Sequence, residues 1–167
     1  MRETDGQGGD GGVGMLRRLL VAVVLLGIVG LIGELALLEH FDSVWQWVPL
    51  VALGLGLVAG VALLARPSSA TVHTFRVVMM TFVAAGALGI WLHVRDNVEF
   101  EREMDGGLRG LALLWEALRG ATPSLAPGSL AHMGLIGLAS TYRHPALRRG
   151  PAPRGAPGAA PLSTETR

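Results

Sequence analysis

The chain has 167 residues, half of them hydrophobic and 16% charged, with a formal net charge of +1 and a mean hydropathy of +0.46. Such a composition excludes a largely disordered chain, which would be polar and charge-rich, and a near-neutral balance leaves no electrostatic footprint for nucleic acid. With no cysteine, disulfides, thiolate nucleophiles, Cys-held metals, c-type haem attachment and Cys-linked lipid anchors are excluded as well.

Residues 1–14 are rich in Gly and Asp and predict a disordered tail, and Met15, which opens the stretch MLRRLL, reads as an alternative start. The first apolar block, Leu19 to Leu38, carries Glu34 as its only charge. Twenty residues at a rise of about 1.5 Å cover the roughly 30 Å hydrocarbon core, so a membrane helix is predicted over about 16–38. Arg17-Arg18 before an apolar run also suits a signal peptide, but the run is long for one and no small-x-small site follows before Glu39.

The second block predicts a helix over 47–65, closed by Arg66-Pro67, since proline cannot continue it. The third predicts a helix over 75–94, interrupted only by Arg76 and His93. In the following loop Leu108, Leu111, Leu114, Trp115 and Leu118 recur at helical spacing, an amphipathic segment suited to lie in the membrane interface or cap the bundle. The fourth block, over 127–142, is short and carries His132, Ser129, Ser140 and Thr141. It is expected to span, a buried or re-entrant helix being the alternative. The Pro/Ala/Gly-rich segment 148–167 predicts a second disordered tail, leaving residues 15–147 as the membrane domain.

Every basic residue is Arg. With the N-terminus inside, Arg2, Arg17, Arg18, Arg66, Arg76, Arg143, Arg148, Arg149, Arg154 and Arg167 face inward, and only Arg95, Arg102, Arg109 and Arg119 face outward. Ten against four predicts both termini inside. The outer side sets eight acidic residues against those four arginines, a net of −4, and Trp45, Trp47 and Trp91 stand where an interfacial aromatic belt is expected.

Helices in lipid associate through small residues. Gly27, Gly30 and Gly33 recur on the first helix, Gly56 and Gly60 form a GxxxG on the second, Ala85 and Gly89 repeat that spacing on the third, and Gly134 and Gly137 lie on the fourth. A homodimer through Gly56 and Gly60 is expected.

The chemistry-bearing candidates sit near the outer ends of the helices. Glu34 and His132 each lie a turn or so inside their helices, His93 closes the third, and Glu39-His40 ends the first. Ionisable residues within membrane helices are costly and by default face the bundle interior. The expectation is therefore a polar pocket of Glu34, His93 and His132, with Glu39, His40 and Asp42 at its mouth. Such a set could hold a divalent metal, clasp a haem between His93 and His132, or relay protons through Glu34. Alternatively Glu34 and His132 form a buried pair that fixes helix register. HExxH, GxSxG, Walker A and GxGxxG motifs are absent.

The stretches LEHFDSVWQWVPL, HVRDNVEFE, LWEALRGATPSLAPGSL and TYRHPAL together resemble a family of small, uncharacterised bacterial four-helix integral membrane proteins, over roughly residues 15–147. That resemblance implies no activity or ligand. The absence of Lys beside abundant Arg, Ala and Gly points to a GC-rich bacterial genome. The fold expected is thus an all-α, four-helix membrane bundle, N-in and C-in, with a short amphipathic interfacial helix between the third and fourth helices. The role expected is that of a non-enzymatic accessory or structural protein of the plasma (inner) membrane, its outer face open to a protein partner. A small metal- or ion-handling protein is the alternative.

Overall fold

In the computed structural model, residues 5–39, 42–120 and 126–148 are described, with side chains described from Gly11 onward. Among them are five α-helices and a closing 3-10 turn, with no strand: α1 (Asp5–Leu37), α2 (Val44–Ala65), α3 (Ser69–Met104), α4 (Gly110–Leu118), α5 (Gly128–Ser140) and the turn Pro145–Leu147. Three helices, α1, α2 and α3, are long and apolar enough to cross a membrane. The fourth expected span is not among them. At 13 residues, α5 rises about 20 Å, two thirds of a hydrocarbon core of about 30 Å.

Local chemistry explains where the helices stop. α5 ends where hydroxyls turn back onto its own carbonyls, Ser140 Oγ to Gly137 O at 2.6 Å and Thr141 Oγ1 to Leu138 O at 2.9 Å. Arg143 then takes a positive φ of 47° and the chain leaves the helix. α2 starts three residues before the predicted boundary because the Gln46 side chain accepts the Ser43 amide at 3.0 Å. α3 is longer than the predicted 75–94 at both ends. At its start, Ser68 Oγ accepts the Thr71 amide at 3.1 Å and Thr71 Oγ1 accepts the Ser68 amide at 2.9 Å, a reciprocal capping pair. At its far end no Gly or Pro interrupts the chain before Gly106, and the helix runs on to Met104 as a charged extension beyond the apolar stretch. α1 reaches back to Asp5, into the segment 1–14 expected to be a disordered tail. The expected tail 148–167 lies, past Arg148, outside the described residues.

α1, α2, α3 and α5 pack as a ring: α1 touches α2 and α5, and α3 touches the same two. Phe75 and Phe82, seven residues apart on α3 and fully buried, fill its centre with Met79, Ile28 and Leu53. Glycines let the backbones close around these rings. A Cβ on Gly137 would lie 3.3 Å from Phe75, and one on Gly134 would lie 2.6 Å from the Met79 carbonyl. A Cβ on Gly60 would lie 2.7 Å from Leu25, and one on Gly56 would run into Phe82 and Ile28. Gly56 and Gly60, the seam expected for a homodimer, are buried and face Ile28 and Leu25 of α1 and Phe82 and Phe75 of α3. On α3 the close approach uses Gly86 and Gly89, against Ala131 and Pro127 of α5, rather than Ala85 and Gly89.

α4 is the amphipathic segment expected between the third and fourth helices. It packs on the extension of α3, burying Leu113 and Ala117, while Leu111, Leu114, Trp115 and Leu118 stay exposed. The pin between them is Asn97, 3% exposed, whose Nδ2 donates to the Ala117 carbonyl at 2.9 Å.

Candidate functional site

The ring orients α1 through Val21, Val24 and Ile28, which are buried, and through Gly27, whose Cβ would lie 2.7 Å from the Met133 sulfur of α5. This orientation fixes Glu34. Seven residues beyond Gly27, about 10 Å along the axis, it falls on the same flank and is exposed. No hydrogen bond or ion pair reaches its carboxyl among the described residues. The closed, apolar ring centre at Phe75, Met79 and Phe82 meets α1 at Ile28, six residues and about 9 Å along the axis from Glu34.

His132 is also exposed, on the outward face of α5. Its Nδ1 donates to the Gly128 carbonyl one turn back, at 2.8 Å, so Nε2 is the atom turned outward. His93 is half-buried near the end of the apolar part of α3 and is engaged in an interaction of its own. Glu39, with a φ of 49°, and Asp42 are exposed where α1 turns towards α2, and His40 lies outside the described residues. Among the described residues no three His, Asp or Glu side chains come together as a metal site. Of the residues expected to form an inward pocket, Glu34 and His132 are thus exposed on neighbouring helices, and His93 is half-buried on a third.

Around Glu34 the surface of α1 is unusual in a second way. The glycines facing the ring are all in close contact, but a Cβ on Gly30 or Gly33 would meet nothing within 4 Å. Leu26 and Leu37 flank them, 74% and 87% exposed. The C-terminal half of α1 is therefore a shallow strip of backbone, edged by leucines, with one carboxyl beside it.

The two ends of the ring differ in chemistry. At one end stand Glu34, Glu39, Asp42 and the acids of the α3 extension. Arg95 there pairs with Asp96 at 2.8 Å and Glu99 at 3.7 Å and stacks over Trp91 at 5.4 Å. Trp45, Trp47 and Trp91 are exposed at this end, as an interfacial belt requires. At the other end two arginines clamp the C-terminus of α5. Arg76 donates from Nε to Thr141 Oγ1 at 3.0 Å and from Nη2 to Thr141 O at 2.6 Å. Arg17 Nη2 donates to the carbonyls of Tyr142 and Arg143 at 3.2 and 3.3 Å. Guanidiniums placed there satisfy end carbonyls and complement the helix dipole. Sequence reasoning used both residues only to orient the chain, because pairing Arg17 with Tyr142 and Arg143 is a contact across 125 and 126 positions.

No family model matches the chain, and no curated protein or solved structure matches it either.

Proposed function

We propose that this chain is a non-enzymatic accessory subunit of a membrane assembly, and that it joins that assembly through the outer half of α1. The observation that carries this reading is the uncovered carboxyl of Glu34 beside the open backbone at Gly30 and Gly33. A carboxylate facing lipid is costly, and small residues in a membrane helix allow another helix to approach closely. A neighbouring helix laid along this strip removes the cost and fills the space. The partner this favours is a transmembrane helix that brings a hydrogen-bond donor or a cation to Glu34, since a two-fold copy of this chain would set Glu34 against Glu34. In the plasma membrane the arginine end would face the cytoplasm, as the excess of Arg there favours.

The test is native electrophoresis of membranes from the source cell, with Gly30→Leu, Gly33→Leu and Glu34→Ala beside the wild type. The wild-type chain is expected in a species larger than the chain alone, and each variant is expected to release it while the purified variant keeps its helix content. A wild type that migrates as a single chain overturns the reading. A purified chain that reproduces the larger species without other proteins replaces the partner by a second copy.

A further inference from the structure

Where α1 enters the ring at the arginine end, a notch of about 190 Å³ opens between α1, the end of α2 and the turn after α5. Arg17, Arg18, His144 and Ser140 supply its polar lining, the Ser140 hydroxyl being spent on the Gly137 carbonyl, and Val21, Leu63 and Leu64 form an apolar wall. Among the described residues no carboxylate pairs with these cations: residues 11–33, 63–78 and 128–148 contain no Asp or Glu, and Arg66, Arg76, Arg143 and Arg148 add to the same end. Asp10 stands seven positions before Arg17, about 10 Å further along the helix axis and away from the ring.

The donors are set in place before any ligand arrives. Arg17 spends Nη2 on the carbonyls of Tyr142 and Arg143, which fixes its guanidinium plane and leaves its other N–H groups to the notch. His144 Nδ1 accepts the Ala146 amide at 3.2 Å, so in the neutral ring Nε2 carries the proton. Burial, with Arg17 and then Arg76 nearby, lowers the His144 pKa below its usual value. Arg18 has no partner among the described residues. The level is also defined, because Arg17 and Arg18 directly precede the apolar run that begins at Leu19, which places them at headgroup depth.

We infer that this notch binds the phosphate of an anionic phospholipid, with Arg17, Arg18 and His144 as donors and the first acyl carbons against Val21, Leu63 and Leu64. The volume corresponds to about six waters at roughly 30 Å³ each, enough for a phosphodiester and part of its glycerol. The apolar wall favours a lipid over a free anion, because inorganic phosphate gains nothing from Val21, Leu63 and Leu64. Basic notches between membrane helices are a general means of holding anionic headgroups. The inference depends on membrane embedding alone, and stands whether or not α1 has a partner.

The experiment is native mass measurement of the full chain released from nanodiscs of mixed phosphatidylglycerol and phosphatidylcholine. Arg18→Gln and His144→Gln are the test variants, and Arg148→Gln removes a charge from the same end outside the notch. One phosphatidylglycerol is expected to remain on each wild-type chain. Arg18→Gln should weaken retention about fivefold, the loss of one cation near an anionic surface, and Arg148→Gln should weaken it less than twofold. Equal retention of both lipids overturns the inference, as does an Arg148→Gln effect equal to that of Arg18→Gln, which signals diffuse attraction. Inorganic phosphate that displaces the lipid at millimolar concentration makes the site one for free anions and overturns the lipid assignment. Should Arg18→Gln not fold, wild-type preference for phosphatidylglycerol, with His144→Gln, decides the matter.

Discussion

Gly86→Ala tests the closure of the ring most directly. A Cβ at this position would lie 2.7 Å from the Ala131 amide nitrogen, 2.8 Å from the Ala131 Cβ and 2.9 Å from the Pro127 carbonyl oxygen. Two of these atoms are backbone, so no rotamer change relieves the contact. Favourable separation of such atoms is about 3.5 Å, so α5 must retreat from α3 by about 0.7 Å. The retreat also loosens the contact at Gly134, one heptad register further along the same seam. Overpacking of this kind costs about 1–3 kcal/mol, against which the better helix propensity of Ala returns about 0.5–1 kcal/mol. The expected net loss is about 0–2.5 kcal/mol, its middle at about 1 kcal/mol and a factor of roughly 5 in the folded-to-unfolded ratio. Gly30→Ala supplies the matched control, because a Cβ there meets nothing within 4 Å and only the propensity gain applies. Reversible unfolding of the purified chain in bicelles, followed by steric trapping, measures both. Stabilities of the two variants within about 0.5 kcal/mol of each other, the usual scatter for independent sites, would refute the α3–α5 packing argued above.

Three further outcomes follow from other contacts. Asn97→Ala removes the 2.9 Å bond that pins α4 to α3; the Ala117 carbonyl keeps the Gly120 amide at 3.3 Å, so the loss is one net hydrogen bond of about 1 kcal/mol, amides of 110–118 should exchange about fivefold faster, and unchanged protection would show that Leu113 and Ala117 suffice. Arg76→Gln removes both bonds to Thr141, charge-assisted contacts worth about 1.5–3 kcal/mol; hydrogen exchange at 138–142 should rise while that of α1 stays unchanged, and Arg76→Lys should rescue only in part. His144 has its pKa lowered in the fold by burial, Arg17 and Arg76. The neutral ring is therefore the form the fold favours. Its contribution is complete above the ordinary histidine value of 6.5 and is lost as pH falls below that value towards the lowered one. Protection of the Ala146 amide should accordingly decrease between pH 7.5 and 5.5, and His144→Gln should abolish the dependence; a decrease that survives the substitution points to another titrating group.

The long apolar helices were legible because lipid forces a simple pattern: a run long enough to cross, with few charges. Thus α1, α2 and α3 could be read, together with the amphipathic α4. Boundaries were less legible, since Ser68 with Thr71, and Gln46 with Ser43, add turns whose cause is local hydrogen bonding rather than hydropathy. The length of α5 was misread because hydropathy over 127–142 is silent about hydroxyls that fold back on their own helix. Asn97 passed unnoticed for a related reason: one polar residue in a charged stretch looks solvated until α4 covers it. The glycines were counted correctly as small contacts, but composition cannot say which face of a helix meets which neighbour. Gly27, Gly56 and Gly60 turned inward, and Gly30 and Gly33 remained open.

Glu34 is exposed on the chain taken alone, although an ionisable residue in a membrane helix by default faces the bundle interior. In a large bundle the interior offers cavities and polar partners, so an ionisable residue is expected to turn inward. Here four helices close on Phe75, Met79 and Phe82 through glycines, and that core meets α1 at Ile28, about 9 Å along the axis from Glu34. A carboxylate inserted there would lose its solvation and gain no donor, which is costlier than a place at the rim. The rim leaves it reachable from the headgroup level and from a neighbouring helix. That core holds the ring without any contact to the Glu34 carboxyl, so Glu34→Gln should leave unfolding of the isolated chain within about 0.5 kcal/mol of wild type, the range of surface substitutions. A large loss of stability in the isolated chain would show that the carboxyl serves the fold, and the strip along α1 would then lose its strongest claim to a partner.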